Sequence, residues 1–191
     1  MTEDQWLSST DPTPMLVFLW DSGKASHRKL RLFAGACCRR IWHLLIDKRS
    51  REAVEVAERY ADGRATDEEL ETASDSAYSV WDADMERAAT EGKWDRRSRL
   101  PYYGASAAAY KVAIPLGWWG AAPAFVAPDQ VARELPLTGE DEAEGQCALL
   151  RDLFGNPFRP VAIDPAILRW NGGTIPKLAQ AVYDERGYGG G

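Results

Sequence analysis

The chain has 191 residues, 45% of them hydrophobic, and a net charge of −6. That apolar fraction excludes wholesale disorder, and the negative balance gives no global attraction to nucleic acid or to an anionic membrane. Three cysteines, an odd number at no framework spacing, argue against a disulfide scaffold and for a reducing compartment.

The first residues, Met1-Thr-Glu-Asp-Gln5, lack the basic and apolar regions of a signal peptide. The longest uncharged run, Val112 to Pro128, is too short to span a bilayer and is broken by Pro115, Gly117, Gly120 and Pro123. A cytoplasmic location and no membrane partner are therefore expected.

In chain order, residues 3–8 form a short turn around Trp6. Asp11-Pro-Thr-Pro14 opens a buried helix, with Thr13 as its cap and Pro14 in its first position. Asp21-Ser-Gly-Lys24 is a turn. The stretch from Ser26 to Leu45 then reads as one long helix: Leu30, Phe33, Ala34, Cys37, Ile41, Leu44 and Leu45 recur at steps of three and four, and Ser26 can cap it. Asp47-Lys-Arg-Ser50 breaks that helix, and the next runs to about Ala61 before Asp62-Gly63 stops it. Thr66-Asp-Glu-Glu69 is a capping box, followed by helical spacing at Leu70, Ala73, Ala77, Trp81, Met85 and Ala88.

Residues 91–139 are punctuated by Gly and Pro and read as an irregular linker or arm. Ser106–Ile114 and Pro128–Leu135 are short helices within it. Asp141–Phe154 is a helix with Cys147, Leu150, Leu153 and Phe154 inward, ended by Gly155-Asn-Pro157. Asp164-Pro165 starts another, and Asn171-Gly-Gly173 stops it; a β-hairpin around Asn171-Gly172 is the rival reading. Thr174 caps a last helix with Ile175, Leu178, Ala179, Val182 and Tyr183 in one stripe. The tail 187–191 is glycine-rich. The expected fold is mainly α, a single helical bundle of about seven or eight helices. It is one domain with N-terminal helices over 1–90, an irregular middle, C-terminal helices over 140–186 and a mobile tail.

Three blocks stand out together: Asp11-Pro-Thr-Pro-Met-Leu16, the run from Arg28-Lys-Leu-Arg-Leu-Phe33 to Arg59-Tyr-Ala-Asp-Gly63, and Leu149-Leu-Arg-Asp-Leu-Phe-Gly-Asn-Pro-Phe-Arg-Pro160 continuing to Tyr183-Asp-Glu-Arg186. Their combination resembles a bacterial protein family that occurs in many paralogous copies. That resemblance implies no activity, cofactor or catalytic residue.

Charge is segregated. Nine basic residues and one acid lie between Lys24 and Arg51, whereas thirteen acids and three bases lie between Glu52 and Glu91. A basic face for nucleic acid is one reading, and mutual neutralisation of packed helices is the other. Cys37, Cys38 and His43 carry metal-ligand chemistry, but their spacings of five and six do not place them on one helix face, so no metal and no cofactor are expected. Asp152, Asp164, Asp184 and Glu185 are the carboxylates available for acid–base work, with Asp164 already serving as a cap. Trp118, Trp119 and Phe125 in the uncharged middle, together with Arg39 and Arg40 on the basic helix, are the candidate partner-binding residues. The leading expectation is a non-catalytic interaction or regulatory module with a protein partner. Nucleic-acid binding through residues 24–51 is the alternative, and an enzyme with a site assembled only in three dimensions is the third reading.

Overall fold

Local capping chemistry sets most of the element boundaries. In a computed structural model the chain is described over residues 1–90, 96–114, 140–159 and 163–185. These residues form eight α-helices: α1 (Glu3–Ser8), α2 (Pro12–Asp21), α3 (His27–Arg40), α4 (Lys48–Ala61), α5 (Asp67–Thr90), α6 (Arg96–Ala113), α7 (Glu140–Phe154) and α8 (Pro165–Glu185). No strand occurs among the described residues, so the protein is a mainly α helical bundle.

The Ser26 side chain accepts from Lys29 N, and the Asp47 side chain accepts from Arg49 N. The Thr66–Glu69 box closes in both directions, at 2.7 and 3.2 Å. Gly63 takes φ +70°, the left-handed conformation that ends α4 without the clash a Cβ would bring. At α2 the expectation is corrected. Asp11, not Thr13, is the cap, accepting from Thr13 N at 2.9 Å, and Pro12 rather than Pro14 begins the helix. Asp outranks Thr as a cap, and Pro12 then occupies a position that needs no donor.

The long basic helix also ends earlier than its apolar pattern implies. It stops at Arg40, Ile41 leaves helical geometry, and Trp42–Leu44 makes a 3-10 turn. A continued α-helix would carry Leu44 and Leu45 on adjacent azimuths. The turn instead buries Leu45 to 1% exposure and leaves Leu44 half-buried and Ile46 exposed. Arg51 Nε holds the turn by donating to Leu45 O at 2.5 Å. Leu30, Phe33, Cys37 and Ile41 lie in the core as the spacing requires.

α6 is longer than the Ser106–Ile114 segment expected from sequence, running ten residues further back through Pro101. Ala105, Ala107, Ala108, Ala109, Val112 and Ala113 are all buried. Such small side chains let α6 lie close against α3, α4 and α5, its packing neighbours. Tertiary packing thus sustains a helix whose Pro and Gly content argues against it. The segment expected at Pro128–Leu135 lies outside the described residues.

The chain divides into two units, Met1–Pro157 and Phe158–Gly191. α7 therefore belongs with the N-terminal helices rather than with α8. The link is polar and specific. Arg151 donates to Trp6 O and Ser9 O at 3.1 and 2.5 Å, Asn156 Nδ2 donates to Glu3 Oε1 at 2.7 Å, and Lys24 Nζ donates to Pro157 O. These bonds give physical roles to residues of the Leu149–Pro160 block: those of Arg151 and Asn156 fasten the end of α7 to α1 and the residue after it, 142 to 153 residues earlier in the chain.

In the second unit, α8 is two helical pieces joined by non-helical backbone at residues 170–173, where Asn171, Gly172 and Gly173 take φ of 48°, 67° and 79°. The Asn-Gly-Gly signal makes a helix break and not a β-hairpin. Asp164 caps the first piece through Ala166 N at 2.8 Å, and Thr174 Oγ1 donates to Asn171 O at 2.7 Å across the kink.

Candidate interaction surfaces

The basic segment is largely used within the fold. Arg39 forks onto Glu58, with Nε–Oε1 at 2.9 Å and Nη2–Oε2 at 2.6 Å, and Glu55 lies 4.0 Å away. The same guanidinium sits 4.1 Å over the Trp42 ring, and Arg51 approaches that ring at 5.5 Å. Arg28 pairs with Asp62, which also pairs with Arg64, and Arg49 pairs with Asp47. Lys29 lies over the Phe154 ring at 5.3 Å. Arg40 packs its guanidinium over Gly145 of α7, where an added Cβ would fall 2.6 Å from Cζ. Arg39 and Arg40 thus fasten α3 to α4 and α7.

Arg31 has gone further than its position beside the stripe suggested. It is 8% exposed and donates from Nη1 to Val112 O at 2.6 Å and from Nη2 to Ile114 O at 3.3 Å. The guanidinium lies 5.1 Å from the Tyr60 ring. Burial lowers its pKa, and the terminal carbonyls of α6 offset that desolvation, because a helix C-terminus favours a cation.

Cys37, Cys38 and Cys147 form no disulfide and are buried, whereas His43 is exposed. Burial pushes the Cys38 thiol up to about 12 and the Cys147 thiol up to about 11, so neither is a thiolate at neutral pH. Among the described residues no three His, Cys, Asp or Glu side chains converge as metal ligands. Asp152 is exposed on α7 and Asp164 is occupied as a cap. The side chains of Asp184 and Glu185, and the whole of Trp118, Trp119 and Phe125, lie outside what is described.

A cleft of about 330 Å³ separates α4 from α5, lined in part by Arg49, Glu52, Arg59, Glu68 and Glu69. Its carboxylates are exposed, and Glu69 is held by the Thr66 cap, which lowers its pKa.

The C-terminal unit carries six of the ten large hydrophobic side chains that are exposed among the described residues. Ile163, Ile167, Leu168, Trp170, Ile175 and Leu178 are 40 to 61% exposed. The sequence period marks Ile175 and Leu178 as part of one apolar stripe, and both side chains are exposed. Period alone reports that a face is apolar, not what covers it. Trp170 falls at the kink, outside any helical period, and no spacing in the sequence singles it out. No helix among the described residues is long and apolar enough to cross a membrane. No protein-family model, curated protein or solved structure matches the chain.

Proposed function

We propose that the protein is a non-catalytic interaction module that docks a partner protein through the apolar face of its C-terminal unit. The observation that carries this reading is the six large apolar side chains exposed between residues 163 and 178, with Trp170 at 61% and Leu178 at 60%. Exposed apolar side chains in such number mark binding sites, and Trp is the side chain that most often dominates an interface. The nucleic-acid alternative is weakened by the engagement of Arg28, Arg31, Arg39 and Arg49 within the fold. Among the described residues no group of three or more His, Cys, Asp or Glu side chains converges to support the enzyme alternative.

Quantitative affinity capture from native extract tests the reading. Wild-type protein is expected to retain a defined protein at physiological salt. The double variant Trp170→Ser with Leu178→Ser is expected to lose it while its circular dichroism stays unchanged. Identical capture by both proteins contradicts the reading.

A further inference from the structure

A second surface lies on the first unit, on the outer side of the α5–α6 seam. Tyr78, Trp81 and Tyr110 form an aromatic cluster there. The Tyr78 and Tyr110 rings meet edge-on at 5.1 Å, Tyr78 and Trp81 are tilted at 5.5 Å, and Trp81 stacks on Tyr110 at 6.0 Å with 17° between planes. Tyr78 is 42% exposed, and Trp81 and Tyr110 are half-buried, so ring surface is presented to solvent rather than consumed in the core.

The same helix face is acidic. Glu71, Asp75, Tyr78, Asp82 and Glu86 follow one another at steps of four, three, four and four, and all are exposed. They form a single stripe with Tyr78 at its middle. α5 as a whole carries eight acids against one base, Arg87, and that base pairs with Asp84. Four of the described arginines are committed elsewhere: Arg28 and Arg64 to Asp62, Arg39 to Glu58, Arg49 to Asp47. No described cation forms an ion pair with Glu71, Asp75 or Asp82. The acidic stripe is therefore not the internal counterpart of the basic segment.

We infer that this face receives a basic peptide segment of a partner protein, with Tyr78 and Trp81 taking a guanidinium or ammonium group over their rings and Asp75 and Asp82 flanking it. Three physical points converge. Exposed aromatic rings attract cations, preferring guanidinium. Carboxylates on both sides of Tyr78 select positive over neutral side chains. The stripe, fifteen residue steps long, spans about 22 Å of helix, which an extended segment of about seven residues matches. A purely apolar ligand would leave the flanking carboxylates desolvated without partners, which is costly. This inference is independent of the C-terminal apolar face.

Fluorescence anisotropy tests it with a labelled seven-residue peptide of alternating Arg and Gly, beside the same peptide with neutral citrulline for Arg. At low salt the Arg peptide is expected to bind with a Kd on the order of 100 μM, weakening as ionic strength rises. The citrulline peptide should bind at least about tenfold more weakly, a difference of about 1.4 kcal/mol. Asp75→Asn with Asp82→Asn should weaken the Arg peptide by a similar factor, and Tyr78→Ala by about fivefold or more. Trp170→Ser with Leu178→Ser should leave binding unchanged. Equal binding of both peptides overturns the inference. So does an unaltered Kd in Tyr78→Ala, which would mean unspecific attraction to a negative helix, or no binding below about 1 mM. Tyr78 is exposed, so its replacement leaves a folded protein, and circular dichroism of each variant verifies this.

Discussion

Removing the buried guanidinium of Arg31 tests the packing of the whole N-terminal unit, because that one group reaches from α3 to the last carbonyls of α6. Two opposed terms set the magnitude. Burying the charge costs several kcal/mol, which the fold has already met. In return it gains a short charge-assisted bond to Val112 O at 2.6 Å, a weaker one to Ile114 O at 3.3 Å, and the Tyr60 ring at 5.1 Å. Truncation to alanine removes these and leaves a cavity. It also leaves Val112 O without its donor in a buried setting, at a cost of about 1–3 kcal/mol for that group alone. We expect Arg31→Ala to destabilise by about 3 kcal/mol. Arg31→Met fills most of the volume and removes the charge, so it should cost less, about 1–2 kcal/mol. Urea denaturation followed at 222 nm reads both, with the slope against denaturant unchanged. A loss under about 1 kcal/mol for Arg31→Ala would refute the view that this side chain holds α6 in place.

Phe33 is fully buried, so Phe33→Ala should cost about 3–5 kcal/mol, again by urea denaturation; a cost under about 1 kcal/mol would mean α3 faces the other way. Ellman's reagent at pH 8 should find none of the three thiols reactive in the native protein and all three in denaturant, and rapid native labelling would contradict their burial. The Cys38 pKa is raised by folding, so its contribution to stability is fully present below the unfolded value near 9 and is lost as pH rises towards about 12. Denaturation midpoints should fall across that alkaline window, and less steeply in Cys38→Ala.

Features set by neighbouring residues were legible in the sequence. Ser26, Asp47, the Thr66–Glu69 box, Gly63 and the Asn171–Gly173 break all act within four residues of themselves, and the structure places each where local chemistry requires. Features set by partners far along the chain were not. The end of α3 at Arg40 depends on how Leu45 and Trp42 pack, and α6 survives Pro101 because α3, α4 and α5 surround its alanines. Arg31 sits at the edge of an apolar stripe and reads as solvent-facing, yet its acceptors lie 81 and 83 residues away. Charge segregation was visible, but whether it neutralises itself depended on geometry: Arg39 does meet Glu58 and Glu55, whereas Glu71 stays exposed. The period of α8 marked an apolar stripe but carried no information on what lies against it, and Ile175 and Leu178 are exposed. The Tyr78–Trp81–Tyr110 cluster joins two helices, so no spacing within either one announces it.

The central claim is that the C-terminal apolar face contacts a partner, and site-specific photocrosslinking tests it most directly. A benzophenone amino acid placed at Leu178, exposed to 60%, is compared with the same group at Asp152, exposed on α7. After irradiation in native extract the account predicts one discrete protein adduct from position 178, absent from position 152 and suppressed by Trp170→Ser. No adduct from position 178, or the same adducts from both positions, would contradict it.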